Sequence, residues 1–464
     1  MKTISLADAI LEENTEAVQA ILQHGVDVNE IDEYGFTPLI ESAIADNVDI
    51  AKWLFVYGAN SNYPDTLGST ALHWAAENNN VNLAKLLLEN QADPDACNLS
   101  GQPVLLMPLL RQQHDMKFLL LKYGAHLEFA QDYLNTKLLG HIFELVGTAT
   151  IIDPKNNFIE VDFEGFFLEL SLGLISDSLE QFKNHFAGRK LRRYIQYFDV
   201  VIDAMFRASK LIKYQQYRVE IQKHQTDIQS LISQEPLIIP IGYEGHAITL
   251  IKFGNILVKC DRREDSRLYD NIMIYQMGRP AICDASFIQK LMYEQQSDTF
   301  INDALPGLLD LQPVTELKVH AQISGNCSWA NVEACIPAVF FLLFSKRDDF
   351  SDHPVQYKNL SLEFFNQWRE WNKDRALQFC IQSFHEADKI RKACKAEILA
   401  AILFQSCNGI SPVDSERAES ILNAINIPEY EHIIRNYIKI YCYEDYSEEG
   451  QHFLRLLRNH GFKV

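Results

Sequence analysis

The nine residues GSTALHWAA at 68–76 return one period earlier as GFTPLIESA (35–43) and one period later as GQPVLLMPL (101–109), with a worn echo, LNTKLLGHI, at 134–142. Gly35, Gly68 and Gly101 stand 33 residues apart, and Gly25, Gly58 and Gly124 keep the same beat, with Gln91 in the missing place. A fixed period of this length marks one supersecondary unit that cannot bury its own apolar face and must stack on its copies. Each recurring residue has a physical task. Thr37 and Thr70 precede helix-periodic segments, where a hydroxyl can accept from the first free N–H groups. Leu39 and Leu72 point between copies, and the glycines after AKWLFVY (51–57) and MKFLLLKY (116–123) permit the left-handed residue that ends a helix.

These segments resemble the ankyrin repeat, whose Thr-Pro-Leu-His-x-Ala signature opens the first of two antiparallel helices. Residues 1–33 lack the turn and read as an N-terminal cap, while Pro103 and Pro108 weigh against an inner helix in the third copy. Four repeats and a degraded fifth near 134–145 are expected. A stack of this kind presents turn tips and a concave helical face to a protein partner. The tip candidates are Asp32, Glu33, Tyr34, Phe36, Asp65, Thr66, Leu67, Asn98, Leu99 and Ser100. On the inner helices they are Glu41, Ile44, Ala45, Trp74, Glu77 and Asn78.

The chain has 464 residues, 47% of them hydrophobic, which suits two to four packed domains at roughly 100–200 residues each. Forty-two Lys and Arg against 62 Asp and Glu leave a net charge of −20, which opposes direct contact with phosphate backbones and anionic lipid. The excess is uneven: residues 1–134 carry 6 basic and 19 acidic side chains, a net of −13, leaving −7 for the rest. An acidic recognition surface fits a partner protein with a basic face, including one that itself handles nucleic acid. Nine cysteines, an odd number without CxxC pairs, argue for a reducing compartment and against a disulfide framework or structural zinc. No cofactor or metal motif is recognised. Acidic residues interrupt the N-terminal apolar run, so no cleaved signal is expected, and the longest apolar stretches, such as 336–344, are too short to span a bilayer.

Beyond the repeats, NNFIEVDFEGFFLEL (156–170) mixes strand and helix signals, and residues 176–234 read as polar helix. The cationic GRKLRRY (188–194) reads as a solvated face. From residue 237 the pattern changes to period two, and Gly254-Asn255 marks a hairpin turn in LIIPIGYEGHAITLIKFGNILVKCDRRED. Pairing about that turn sets Ile248 opposite Asp261 and His246 opposite Arg263, which brings His246 and Asp261 diagonally onto one face. Further on, Cys327 follows a Gly-Asn turn and opens an apolar helical run, where the helix dipole favours thiolate. Gln322 lies five residues before it, with an amide suited to a developing oxyanion.

At these residues the chain resembles cysteine-protease-like effector domains of the papain and YopJ type. Its order His, Asp, Gln, Cys is similar to the adenain-type and YopJ-like proteases and acyltransferases rather than to papain, where Cys comes first. The resemblance implies Cys327 as nucleophile, His246 as general base, Asp261 as its orienter and Gln322 as oxyanion donor. Arg262 and Arg263 compete for Asp261, and an inert constellation or a purely structural region stays open. From Asn359 onward, helical patterns form a C-terminal region, with Trp368 and Trp371 as core residues.

The acidic tail resembles the translocation signal of type IV secreted effectors, and the whole arrangement resembles ankyrin-repeat effectors of the Legionella type. That implies action in a host cell, in cytosol or nucleus, with the basic-faced partner a host protein. The expected fold is α+β and multidomain: an ankyrin-repeat solenoid at 1–145, a mixed connecting region at 146–235, a cysteine-protease-like core at 236–350, and C-terminal helices with a secretion signal at 351–464.

Overall fold

Short helices recur in pairs through the first part of the chain, in the computed structural model that describes residues 5–215, 221–243, 245–262, 272–320, 325–345, 354–407, 411–442 and 448–462. They form the pairs α1 (Leu6–Leu11) with α2 (Thr15–Gln23), α3 (Pro38–Ile44) with α4 (Val48–Val56), α5 (Ala71–Glu77) with α6 (Val81–Glu89), and α7 (Leu106–Leu110) with α8 (His114–Lys122). Thr37 Oγ1 accepts from the Ile40 N–H at 3.2 Å, as the repeat pattern requires. The outer helices carry a second periodic cap: Asn14, Asn47 and Asn80 accept from the N–H groups of Ala17, Ile50 and Leu83 at 3.0, 3.0 and 2.8 Å. Gln113 stands at the fourth beat, where α8 has no side-chain cap.

The third copy keeps an inner helix despite its prolines, though α7 is only five residues long and contains Pro108. The expected fifth repeat is instead part of one 17-residue helix, α9 (Leu127–Phe143), with no turn inside LNTKLLGHI. An antiparallel hairpin follows, β1 (Thr148–Ile152) with β2 (Phe158–Asp162). Its Ile151 and Val161 pack with Leu106, Phe129 and Tyr133 in a small core. Gly101, at φ +73°, lies so close to this hairpin that an added Cβ would sit 2.7 Å from Ile159 Cγ2. Met1–Leu138, Thr148–Asp162 and Phe384–Ala400 make up one compact unit. Within it, buried Asp132 pairs with Lys395 at 2.6 Å and Arg391 at 2.7 Å.

The second unit comprises Leu139–Gly147, Phe163–Ser383 and Ala401–Val464. It opens with α10 (Leu168–Asn184), α11 (Ile195–Ile212) and α12 (Gln225–Ile232). A five-stranded antiparallel meander follows, in spatial order β3 (Leu237–Tyr243), β4 (His246–Phe253), β5 (Ile256–Cys260), β6 (Ile272–Met277) and β7 (Leu311–Leu317). Runs such as LIIPI (237–241) and AITLI (247–251) are buried at every position, Thr249 included, because helices cover both faces. Leu250, Leu257 and Ile239 join a core with Ile228 of α12, Ile288 of α13 (Ala285–Tyr293) and Leu305 of α14 (Leu305–Leu309). Against β4 also pack α15 (Cys327–Glu333) and α16 (Cys335–Ser345). The stretch 327–345 is long and apolar enough to cross a membrane, but 89% of it is buried inside the fold.

Helices α17 (Pro354–Glu386), α18 (Lys389–Gln405), α19 (Pro412–Ile425), α20 (Glu431–Tyr441) and α21 (Glu448–Asn459) complete the chain. Trp368 is fully buried and donates to Ser178 Oγ at 3.2 Å. Trp371 is half-buried and donates to His185 Nδ1 at 3.1 Å. The cationic segment forms a 3-10 helix, Phe186–Tyr194, in which Arg189 lies 4.0 Å over the Phe186 ring and Arg193 lies 4.7 Å over Tyr194.

Candidate functional site

Strand pairing assembles the first half of the site. The β4–β5 ladder runs from Phe253 opposite Ile256 to Thr249 opposite Cys260, the register expected from the Gly254-Asn255 turn. Beyond its last pair, His246 Nε2 lies 3.0 Å from Asp261 Oδ1, with both side chains 13% exposed. Lys259 Nζ approaches the other carboxylate oxygen, Asp261 Oδ2, at 3.3 Å. Tyr243, paired with His246 across β3 and β4, meets the imidazole edge to face at 5.7 Å.

Arg262 does not take Asp261 for itself. It is 1% exposed and turns its guanidinium to Glu144 at 3.1 Å and Glu333 at 3.8 Å, with its Nε–H donating to the His320 carbonyl at 2.8 Å. With Arg369, which pairs with Glu144 at 2.8 Å, four charges are buried together here and partly offset one another's desolvation. Arg263 and Gln322 lie outside the described residues, so the oxyanion donor expected at Gln322 has no structural description.

Cys327 is the first residue of α15 and half-buried. Burial pushes its thiol up, but hydrogen bonds from the His246 ring and from the Ala247 and Ser328 backbone, with the imidazole's charge, bring it below the ordinary thiol value. By contrast, burial pushes Cys97, Cys260, Cys283, Cys394, Cys407 and Cys442 up, Cys407 to about 12. Cys260 and Cys335 are both fully buried, and Cys335 Sγ donates to the Asn331 carbonyl at 3.5 Å. His246 thus lies beside both Asp261 and Cys327, an arrangement that can favour a thiolate on Cys327.

Several neighbours escaped the sequence reading. Asn326, just before the cysteine, lies 2.5 Å from His141 Nδ1, and that ring stacks 5.9 Å from Trp329. Asn331 is fully buried one turn along α15 and hydrogen-bonds the backbone next to His246, at Ala247, and next to Asp261, at Arg262. A carboxamide four residues after a cysteine in an apolar helical run was the available signal.

At the repeat tips, the residues expected to face a partner separate into two groups. Asp32 Oδ1 accepts from the Tyr34 and Phe36 N–H groups at 2.9 and 2.8 Å. Asp65 Oδ1 takes Leu67 and Ser69 at 2.9 and 2.8 Å, and Asn98 Oδ1 takes Ser100 and Gln102 at 3.0 Å each. These three side chains shape the turns. Phe36 and Trp74 pack edge to face at 6.0 Å, and Trp74 Nε1 donates to Asp65 Oδ2 at 3.3 Å. Glu41, Ile44 and Ala45 are buried, and Glu77 pairs with Arg111 at 2.8 Å. Glu33, Thr66 and Ser100 remain exposed, together with an apolar row of Tyr34, Leu67 and Leu99 at 65%, 68% and 79% exposure.

A family model described as ankyrin repeats (three copies) matches this chain twice, over residues 6–98 and 52–129. No curated protein matches it. Among solved structures, that of the Legionella effector AnkH is similar over 99% of this chain and 98% of its own, at 38% identity and a TM-score of 0.84. The similarity runs through the repeats, the sheet-containing region and the C-terminal helices alike, so the chain belongs to the family of the ankyrin-repeat effector AnkH.

Proposed function

We propose that this chain is a translocated effector that binds a host protein through its repeat tips and uses Cys327 as a nucleophile on an acyl bond. The observation that carries the second half is the placement of His246 beside both Asp261 and Cys327. In this reading His246 takes the thiol proton, Asp261 keeps the ring in the tautomer that can do so, and the thiolate attacks an amide or thioester carbonyl; the C–N or C–S bond to the carbonyl then breaks, and the amine or thiol leaves with the proton from His246, giving an acyl-Cys327 thioester. The acyl group then passes to water or to a second acceptor, which makes the site a protease-like hydrolase or an acyltransferase. The papain and YopJ-like comparison from the sequence belongs to this reading, as does the division into repeats at 1–145, a connecting region, a cysteine core at 236–350 and a C-terminal region.

Iodoacetamide labelling tests the nucleophile. Near neutral pH, Cys327 should react at least about tenfold faster than the buried thiols, and His246→Ala should abolish the advantage. Uniform labelling of the wild type would remove the catalytic reading.

A second reading, a binding adaptor with an inert site, is favoured by the exposed apolar row Tyr34, Leu67 and Leu99, which needs no chemistry to act. Pull-down from host lysate with the triple alanine variant and with Cys327→Ala separates the two. Loss of partner only in the former, and loss of host phenotype in both, supports the enzyme. A phenotype that survives Cys327→Ala supports the adaptor. The net charge of −13 over residues 1–134 further predicts that partner association weakens as salt rises.

A further inference from the structure

We propose that Asn331 is a positioning residue for the cysteine site, its carboxamide standing between the ends of β4 and β5 and setting the spacing at which His246 meets Asp261 and Cys327. This rests on the reading of Cys327 as a nucleophile. The β4–β5 ladder ends at Thr249 opposite Cys260, and continued in the same register it would bring Ala247 opposite Arg262. Asn331 occupies that place instead: its Nδ2 donates to the Ala247 carbonyl at 2.6 Å, and its Oδ1 accepts from the Arg262 N–H at 2.8 Å.

Ala247 directly follows His246, Arg262 directly follows Asp261, and Asn331 lies one helical turn from Cys327. One side chain therefore ties together the backbone on which all three groups of the site are mounted. A two-pronged amide suits this position because it supplies one donor and one acceptor, the pair that two strand backbones offer each other in a ladder. It is fully buried, so losing it leaves two backbone groups without partners or lets the strands close on each other. Either outcome moves His246 relative to Asp261.

The charged and titratable groups around the site are His246, Asp261 and Lys259, Tyr243 edge-on to His246, Cys260 and Cys335, the Arg262, Glu144, Glu333 and Arg369 cluster, His141 against Asn326, and Glu164 beside Gly325. Substituting Asn331 changes none of them. The test is the pH profile of Cys327 alkylation by iodoacetamide in the full chain, from about pH 5 to about pH 9.5, for wild type, Asn331→Leu, Asn331→Ala and His246→Ala. In the Asn331 variants the midpoint should rise by about one unit and the rate at pH 7 should fall about tenfold, toward the His246→Ala profile.

Folded Asn331 variants that keep the wild-type midpoint overturn the positioning role, whatever their melting temperature. A wild-type midpoint at the ordinary thiol value overturns the nucleophile reading itself, independently of Asn331. If neither variant folds, amide exchange in the wild type decides: the Arg262 N–H should exchange at least about 100-fold more slowly than exposed loop amides, and fast exchange there overturns the clamp.

Discussion

In the repeats, hydrogen bonds between neighbouring copies join residues one period apart. The Asn60 N–H donates to Asn29 Oδ1, Asn62 Nδ2 to the Gln91 carbonyl, Asn78 Nδ2 to the Ala43 carbonyl and Arg111 to the Glu77 carbonyl, with separations of 31, 29, 35 and 34 residues. Around the cysteine, the bonds that matter span 15 residues from His246 to Asp261, 69 from Arg262 to Asn331, 84 from Asn331 to Ala247 and 185 from His141 to Asn326. A stack of like units spreads recognition over repeated positions and tolerates local change, whereas a site drawn from distant segments is held in place only by the completed fold.

The difference can be attacked by measurement. Trp368→Ala should have the largest effect, about 4 kcal/mol, because it empties a fully buried indole site and leaves Ser178 without its donor. Denaturant unfolding should show the loss as one cooperative step of the second unit, and a loss below about 1 kcal/mol would mean that this unit is as loosely coupled as a repeat stack.

Next comes acid. Burial lowers His73 to about 4, where it accepts from the Thr70 N–H at 3.1 Å and meets the Gln102 carbonyl at 3.3 Å. Its folded value lies below its ordinary one, so its contribution is fully present above about pH 6.5 and is lost as pH falls toward 4. About 3 kcal/mol of repeat stability should disappear across that window, and His73→Gln should flatten the dependence. An unchanged pH profile in the variant would show that the stack does not depend on this link.

A smaller contrast sits within the repeats. Gly68 is at φ +82°, and an added Cβ would meet the Leu99 backbone nitrogen at 2.7 Å, whereas Gly58 at φ +90° has open space. Gly68→Ala should cost about 2 kcal/mol by thermal melting and Gly58→Ala about 1 kcal/mol. Equal losses would mean that the approach between neighbouring turns carries no weight. Least of all, Tyr34→Ala, Leu67→Ala and Leu99→Ala should each change stability by no more than about 0.5 kcal/mol. If partner binding resides at the tips, each should nonetheless weaken it by about 1 kcal/mol or more, read by calorimetry with the captured partner.

Sequence periodicity was a sound guide wherever contacts repeat. It anticipated the paired helices, the Thr37 cap and the turn glycines, and the asparagine caps at 14, 47 and 80 were visible on the same beat though unread. It overreached at 134–142, where the echo of the motif lies inside a continuous helix, because a helical periodicity alone does not say whether a turn interrupts it. The assignment of Asp32, Asp65 and Asn98 to a partner surface met a similar limit, since a short acceptor at a turn can face its own backbone as readily as solvent.

For the cysteine region, a Gly-Asn turn and alternating hydrophobicity were enough to derive the β4–β5 register, and with it the shared face of His246 and Asp261, since a hairpin's pairing follows from its turn. What the sequence by itself determined, then, was everything governed by local period: a 33-residue repeat and one hairpin. Only the tertiary structure decided that Cys327 meets His246, that Arg262 turns to Glu144 and Glu333 rather than to Asp261, and that Asn331 fills the gap between two strands. Those contacts follow from burial and hydrogen-bond satisfaction among segments far apart in the chain, which no short-range pattern encodes.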